Sequence, residues 1–330
     1  MNTAFVTGGS GFVGRNLIRR LRKEGVAVVA LARSESAANT VAALGARPAR
    51  ADLLDATALR AAMQGAEVVF HAAAKVDDWG PKADFWQSNV EGTEVALRAA
   101  QQAAVARFIH VGTEAIYADG QRSLLNLSES TPTPEKPLPR YPQTKLVAEK
   151  RVLAANRDGF ACISVRPRLI WGNDDSSVLP QLLEQVAAGK FVWPDQGRAL
   201  TSTCHVDNVC EGLWLAAIRG RGGEAYFVSD GEAISYREFL GAQFAAQGYP
   251  VPQKSIPLAL ASMLARSCEW CWEQLPLPGA PPVHRLMIEL GAKPVTIRDD
   301  KARQELGYRP IRERAQLLAA QQPCGNPSDS

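Results

Sequence analysis

The sequence predicts a doubly wound, parallel α/β sheet with a smaller, mainly helical C-terminal lobe. Three observations carry this expectation: a glycine-rich junction between a β-run and a helical run at residues 3–21, an alternation of apolar and helical segments over the first 170 residues, and a change of texture beyond Trp171.

The first run, TAFVTGGSGFVG at residues 3–14, sets Gly8, Gly11 and Gly14 three apart directly behind a short strand. A strand ending at Thr7 must turn tightly, let a polar group approach its backbone, and start a helix packed closely on the sheet; residues lacking a Cβ do all three at least cost. The helix begins near Gly11 and carries Val13, Leu17, Ile18 and Leu21 on its apolar face. The free amides around Phe12, Val13 and Gly14, at the positive end of the helix dipole, suit a pyrophosphate. Apolar and helical runs then alternate: 26–32, 37–44, 58–63, 67–70, 85–104, 108–111, 141–156 and 161–167. The expected organisation is a nucleotide-binding half over residues 1–170 and a substrate lobe over 171–330, with the apolar runs at 204–215 and 225–228 also suited to a return to the sheet.

Composition narrows the partners. The 330 residues are 46% hydrophobic and carry a net charge of +3 from 37 basic and 34 acidic side chains, with no basic arm or aromatic-basic stripe, which argues against nucleic acid. The first strand starts almost at Met1, leaving no space for a leader peptide, so a cytoplasmic location is expected. Six cysteines in a chain this long are no disulfide framework, and Cys268-Glu-Trp-Cys271 lacks the second pair that a zinc site needs. The four histidines are scattered without ligand spacing, so no metal is assigned. The tail from Gln321 reads as disordered.

The end of the second strand bears on the cofactor. An acidic residue there would hold ribose hydroxyls, but this chain has Arg33 followed by Ser34. A guanidinium grips a phosphate with paired hydrogen bonds, which favours NADP(H) and leaves NAD(H) possible. Asp52 and Leu53 close the third strand beside the adenine, where Asp52 is suited to accept the adenine amino group or to cap the next helix. Reducing a carbonyl also requires a proton donor. Tyr141 and Lys145 stand one helical turn apart on one face, and a lysine beside a tyrosine stabilises the tyrosinate. Thr113, at the end of RFIHVGT, falls at the carboxyl edge of a strand, where its hydroxyl can bond a substrate oxygen.

These motifs, with HAAA (71–74), SNVEGT (88–93), VGTEAIY (111–117), YPQTK (141–145) and RPRLIWG (166–172), resemble the extended short-chain dehydrogenases/reductases, the NAD-dependent epimerase/dehydratase superfamily with its Rossmann-type fold. The resemblance implies Tyr141 as general acid–base, Lys145 as its support, Thr113 as the group orienting the carbonyl, and Asn89 as keeper of a water-linked proton path through the lysine. It implies that Ala72, Ala73 and Ala74 pass the phosphates and ribose and that Pro167 flanks the nicotinamide. HAAAKVDDWG, HVDNV (205–209) and KARQELGYRP (301–310) are similar to the 3β-hydroxysteroid dehydrogenase/isomerase-like branch, and within it to bacterial 2-alkyl-3-oxoalkanoate reductases that use NADPH. Val76-Asp77-Asp78 departs from the small residues those reductases carry, and two carboxylates there would repel an anionic substrate.

The implied activity is reduction of a small apolar ketone to an alcohol, with Val76, Trp79, Trp171 and His205 as substrate contacts and homodimerisation through the helices at 85–104 and 141–156. A nucleotide-sugar epimerase or dehydratase retaining NAD, and an NADP-sensing regulator, are the alternatives. Trp79, Trp171, Trp193, Trp270 and Trp272 offer apolar surface for a ketone rather than a nucleotide sugar. From Leu258 to Leu275, Ser262, Arg266, Glu269 and Glu273 form a polar stripe opposite Leu260, Leu264, Cys268, Cys271 and Leu275. Such a helix covers the pocket or touches a membrane surface or a lipid-handling enzyme. The proline-rich segment 131–142 reads as a stiff loop over the cleft.

Overall fold

Phe5 points to one side of the first strand and Ala4 and Val6 to the other, and all three are fully buried, so the strand lies between two cores. The computed structural model describes residues 1–176, 178–275 and 277–321; Cys324 and the tail beyond Gln321 lie outside them. Seven parallel strands form the central sheet: β1 (Thr3–Thr7), β2 (Ala27–Ala32), β3 (Arg47–Arg50), β4 (Val68–His71), β5 (Arg107–Val111), β6 (Ala161–Pro167) and β7 (Ala225–Val228). Their spatial order is β7-β6-β5-β4-β1-β2-β3, which reverses between β1 and β4. Ligands bind beyond the carboxyl ends of strands at such a switch point.

Helices Phe12–Lys23 and Val206–Arg219 cover one face, burying Leu17, Ile18, Leu21, Val209 and Leu213; helices Ala56–Ala62 and Gly92–Gln102 cover the other through Leu59, Val95 and Ala99. Asp55, not Asp52, caps the 56–62 helix, accepting from Ala58 N at 2.9 Å; Asp52 Oδ1 accepts from Leu54 N in the turn before it. The helix expected over 85–104 is interrupted. Trp86–Glu91 forms a π-helical turn that directs Asn89 into the protein, and Gly92 follows because Leu53 would lie 2.5 Å from a Cβ there.

Ile170–Trp171 pairs with Cys204–His205 in a separate two-stranded ribbon, while Ala225–Val228 lies beside β6 in the main sheet. A third core gathers Trp171, Phe191, Trp193, Tyr236, Phe239 and Phe244, with Trp171, Phe191 and Trp193 making edge-on ring contacts. Helix Leu258–Gln274 sits against Arg285–Gly291, and here the sequence expectation is corrected. The helix buries Ala261, Ala265 and Glu269, whereas Leu260, Met263, Leu264 and Trp270 face outward, Trp270 at 63% exposure. Glu269 goes inward because Arg285 satisfies it twice, by its backbone N at 3.0 Å and its guanidinium at 2.6 Å. No helix among the described residues is long and apolar enough to cross a membrane.

Candidate active site

The glycine turn is built for a close approach. Gly8 has φ +67°, and a Cβ there would meet Ala73 N at 2.7 Å; a Cβ at Gly14 would lie 2.1 Å from Gly8 O. Gly11 opens the helix with no side-chain cap, so its first amides are free for an anion. The loop thus fits the pyrophosphate of a nicotinamide dinucleotide, with Phe12 buried behind it and Val13 half-buried. A hydroxyl–imidazole chain braces this turn. Thr93 Oγ1 gives its hydrogen to Asn89 O at 2.6 Å and so accepts from His71 Nε2 at 2.9 Å; His71 Nδ1 then accepts from Thr7 Oγ1 at 2.9 Å, which itself accepts Ala73 N at 3.1 Å. Burial and the nearby Lys145 push His71 down to about 3, so the imidazole is neutral. Ala72 and Ala74 flank this junction, half-buried. Thr7, His71 and Thr93 were missed in the sequence; a histidine closing a buried strand was the available signal.

Arg33 is exposed at the end of β2 and Ser34 caps the next helix through Ala37 N. Glu35, the first carboxylate after β2, is bonded to Arg50. Asp52 is exposed beyond β3, and Leu53 packs against Gly92. Pro167 is buried at the end of β6 beside Val228.

At the carboxyl ends of β4, β5 and β6 the structure brings together Thr113, Tyr141, Lys145 and Asn89. Tyr141 is the first residue of helix Tyr141–Ala154, entered through Arg140 at φ +69°. Arg140 holds that conformation by donating to Gly80 O at 3.0 Å and to Glu273 at 3.3 Å, with its guanidinium 3.6 Å from the Trp79 ring centroid. Burial pushes the Tyr141 hydroxyl well above its ordinary value; a hydrogen bond with Thr113 opposes this, and the charges of Glu114 and Asp78 add to it. Lys145 is buried and lowered to about 8, with Glu149 one turn on opposing the fall. Its Nζ donates to Val111 O at 2.7 Å and to His110 Nε2 at 3.1 Å, so in this structure the lysine turns beneath β5. Glu149 is locked by Arg166 at 2.6 and 2.9 Å. Asn89 accepts Lys75 N at 2.7 Å and donates to Lys75 O at 3.1 Å and Thr144 Oγ1 at 3.0 Å, pinning the loop after β4 to the tyrosine's helix.

The substrate-contact expectations divide. Val76 is exposed and Trp79 sits between Arg140 and His284. Trp171 and His205 belong to the interior: Trp171 Nε1 donates to Asp230 at 2.7 Å, and His205 caps helix 206–219 while filling the space a Cβ at Gly172 would need. Trp193 is core as well. Asp77 is paired with Lys75 at 2.5 Å, and Asp78 is pushed up by burial and by Asp77.

A seven-stranded parallel sheet with an open glycine turn, and a half-buried tyrosine grouped with a buried threonine and lysine at the same strand ends, define a nucleotide-dependent oxidoreductase fold. The profile of the NAD dependent epimerase/dehydratase family matches residues 4–229, and the chain belongs to that family, the extended short-chain dehydrogenases/reductases. It is an NAD(P)-dependent oxidoreductase. It is 48% identical over 304 residues, 92% of this chain and 91% of the other, to a 4-hydroxy-2-methyl-3-oxo-4-farnesyl-3,4-dihydroquinoline-1-oxide ketoreductase of Stigmatella aurantiaca. It is 34% identical over 311 residues, 92% and 94% of the two chains, to a 2-alkyl-3-oxoalkanoate reductase of Stenotrophomonas maltophilia. Among solved structures, DesIV of Streptomyces venezuelae, a dTDP-glucose 4,6-dehydratase with NAD bound, shares the fold at TM-score 0.75 and 22% identity over 97% of this chain and 95% of that one.

Proposed function

We propose that this protein is an NADPH-dependent reductase that converts the ketone of a bulky, uncharged apolar substrate to an alcohol, with Tyr141 as the general acid. The observation that carries the reading is the half-buried Tyr141 at the start of its helix, one turn from buried Lys145 and with buried Thr113 at the strand ends, beside the open glycine turn. The relatives' names support it: one acts on a farnesylated ring ketone, the other on 2-alkyl-3-oxoalkanoates. Of the ketone classes expected from sequence, alkylated β-keto acids and 3-ketosteroids, Asp77 and Asp78 disfavour the anionic one.

When bound, the nicotinamide supplies a hydride to the carbonyl carbon. Tyr141 supplies the proton to the oxygen. Gly8, Gly11 and Gly14 admit the pyrophosphate, Ala72 to Ala74 line its path, and Arg33 with Ser34 favours the 2′-phosphate of NADP(H), the first carboxylate after β2, Glu35, being engaged by Arg50. We place the reaction in the cytoplasm and assign a homodimer through the segments 85–104 and 141–156; sedimentation of the purified chain tests the dimer.

The test is NADPH oxidation, with NADH alongside, against prenylated ring ketones, 3-ketosteroids and 2-alkyl-3-keto acids, with Tyr141→Phe as control. Turnover with an uncharged ketone that drops about a hundredfold or more in the variant is expected. Undiminished turnover in Tyr141→Phe would sink the mechanism.

A further inference from the structure

The residue before Tyr141 is strained. Arg140 has φ +69° and ψ −114°, the angles of the first central residue of a type II′ turn, where glycine dominates. A residue with a side chain holds such a conformation only where its surroundings over-determine it. The helix that Arg140 opens has no side-chain cap, so the direction in which Tyr141 leaves the turn falls to Arg140 itself.

Both ends of Arg140 are fixed. Its carbonyl accepts Thr144 N at 3.0 Å and Thr144 Oγ1 at 2.8 Å in the first turn of the helix. Its guanidinium is buried: Nε donates to Gly80 O at 3.0 Å, Nη1 donates to Glu273 at 3.3 Å, and the central carbon lies 3.6 Å from the Trp79 ring centroid. His284 stands 5.9 Å from Trp79, and Glu273 also meets Lys82 at 3.5 Å. A flat fork can bond in two directions and lie on a ring at once, which a lysine ammonium cannot. The loop after β4 is thereby drawn onto helix 258–274 at the residue next to the tyrosine.

We propose that Arg140 is a positioning residue for Tyr141: with Trp79, Gly80 and Glu273 it forms a clasp that closes the loop after β4 against helix 258–274 and fixes the place from which the tyrosine gives its proton. This rests on the proposed reductase function. In the step concerned, the O–H bond of Tyr141 breaks as the developing alkoxide takes its proton, and the phenolate is reprotonated from solvent. Arg140 makes and breaks no bond; it acts only through the place it gives the phenol.

Arg140→Gly separates positioning from folding. Glycine takes φ +69° freely and Glu273 keeps Lys82, so the urea midpoint is expected to stay near the parent's. The first readout is fluorine NMR of protein carrying 3-fluorotyrosine at its six tyrosines, the Tyr141 signal being the one missing in Tyr141→Phe. That signal is expected to shift or broaden in Arg140→Gly while those of Tyr226, Tyr249 and Tyr308 hold. The second is kcat, expected to fall about tenfold or more with KM for NADPH within about twofold. The third is a double-mutant cycle: Trp79→Leu should lower kcat in the parent and cost less than about twofold more once Arg140 is glycine, whereas a direct substrate contact at Trp79 would cost the same in both. Should Arg140→Gly fail to fold, Trp79→Leu alone takes the first two readings. A folded variant whose Tyr141 signal is unmoved, or whose kcat stays within about twofold of an active parent's, overturns the proposal, as do fully additive losses in the cycle. A displaced Tyr141 signal in a chain whose parent shows no Tyr141-dependent turnover supports the positioning and overturns the reductase reading.

Discussion

Tyr141 has to be a phenol to give a proton and a phenolate to take one, and its surroundings decide which is resting. The helix N-terminus favours the phenolate, while burial, Glu114 and Asp78 favour the phenol. Lys145, lowered to about 8 by burial, is cationic through neutrality and loses its charge above that pH. Ketone reduction is therefore expected to decline on the alkaline side near pH 8, read as a falling limb in log kcat/KM; Lys145→Met should abolish that limb along with most activity. Arg33 makes the prediction for the cofactor. If the proposed NADPH preference rests on Arg33 meeting the 2′-phosphate, Arg33→Ala is expected to raise KM for NADPH about tenfold and to leave NADH within about twofold; equal losses with both would overturn that assignment.

At the scale of elements, helix 258–274 shows how an ion pair can overrule a hydrophobic pattern. Its leucines form a fair apolar face in the sequence, yet Leu260 and Leu264 stand 40% and 41% exposed while Glu269 is buried. Arg285 supplies the reason, since a buried carboxylate bonded to a guanidinium and a backbone amide has its desolvation offset. Glu269→Ala strands the Arg285 amide and charge and is expected to lower the unfolding free energy by about 2 to 4 kcal/mol in urea. Trp270→Ser, on the exposed side, should change it by about 0.5 kcal/mol or less. The reverse ordering would mean that the helix sits with its other face inward. The glycine turn behaves differently. Its steric demands are local: Gly14→Ala would put a methyl 2.1 Å from Gly8 O, so loss of dinucleotide binding is expected even if the chain still folds.

Across the whole molecule, all four histidines, His71, His110, His205 and His284, are buried and shifted down, with His71 at about 3 and His284 at about 4. The unfolded chain takes up protons at these sites more readily than the folded protein, so their contribution is present above pH 6.5 and is lost as pH falls, for His71 and His284 down to about 3 and about 4. At pH 5 His71 and His284 should each cost about 2 kcal/mol relative to pH 7. A urea midpoint falling steadily below pH 6.5 is expected. His71→Gln should flatten that slope, and an unchanged slope would show that His71 titrates normally.

The sequence by itself determined the parallel sheet, the glycine turn and the tyrosine–lysine spacing, because each depends on local periodicity or on a few contiguous residues. Gly8, Gly11 and Gly14 were legible since a turn's sterics lie within the turn. Tyr141 and Lys145 were legible since four residues make one helical turn. Only the tertiary structure decided which way helix 258–274 faces, that Trp171 and His205 are interior, and that the fourth expected helix contains a π turn at Asn89. It alone joined Thr7, His71 and Thr93 into one chain and set Arg168 on Glu114. Those outcomes rest on pairings between residues 14 to 64 apart, where the energy of desolvating a charge depends on which partner the fold delivers.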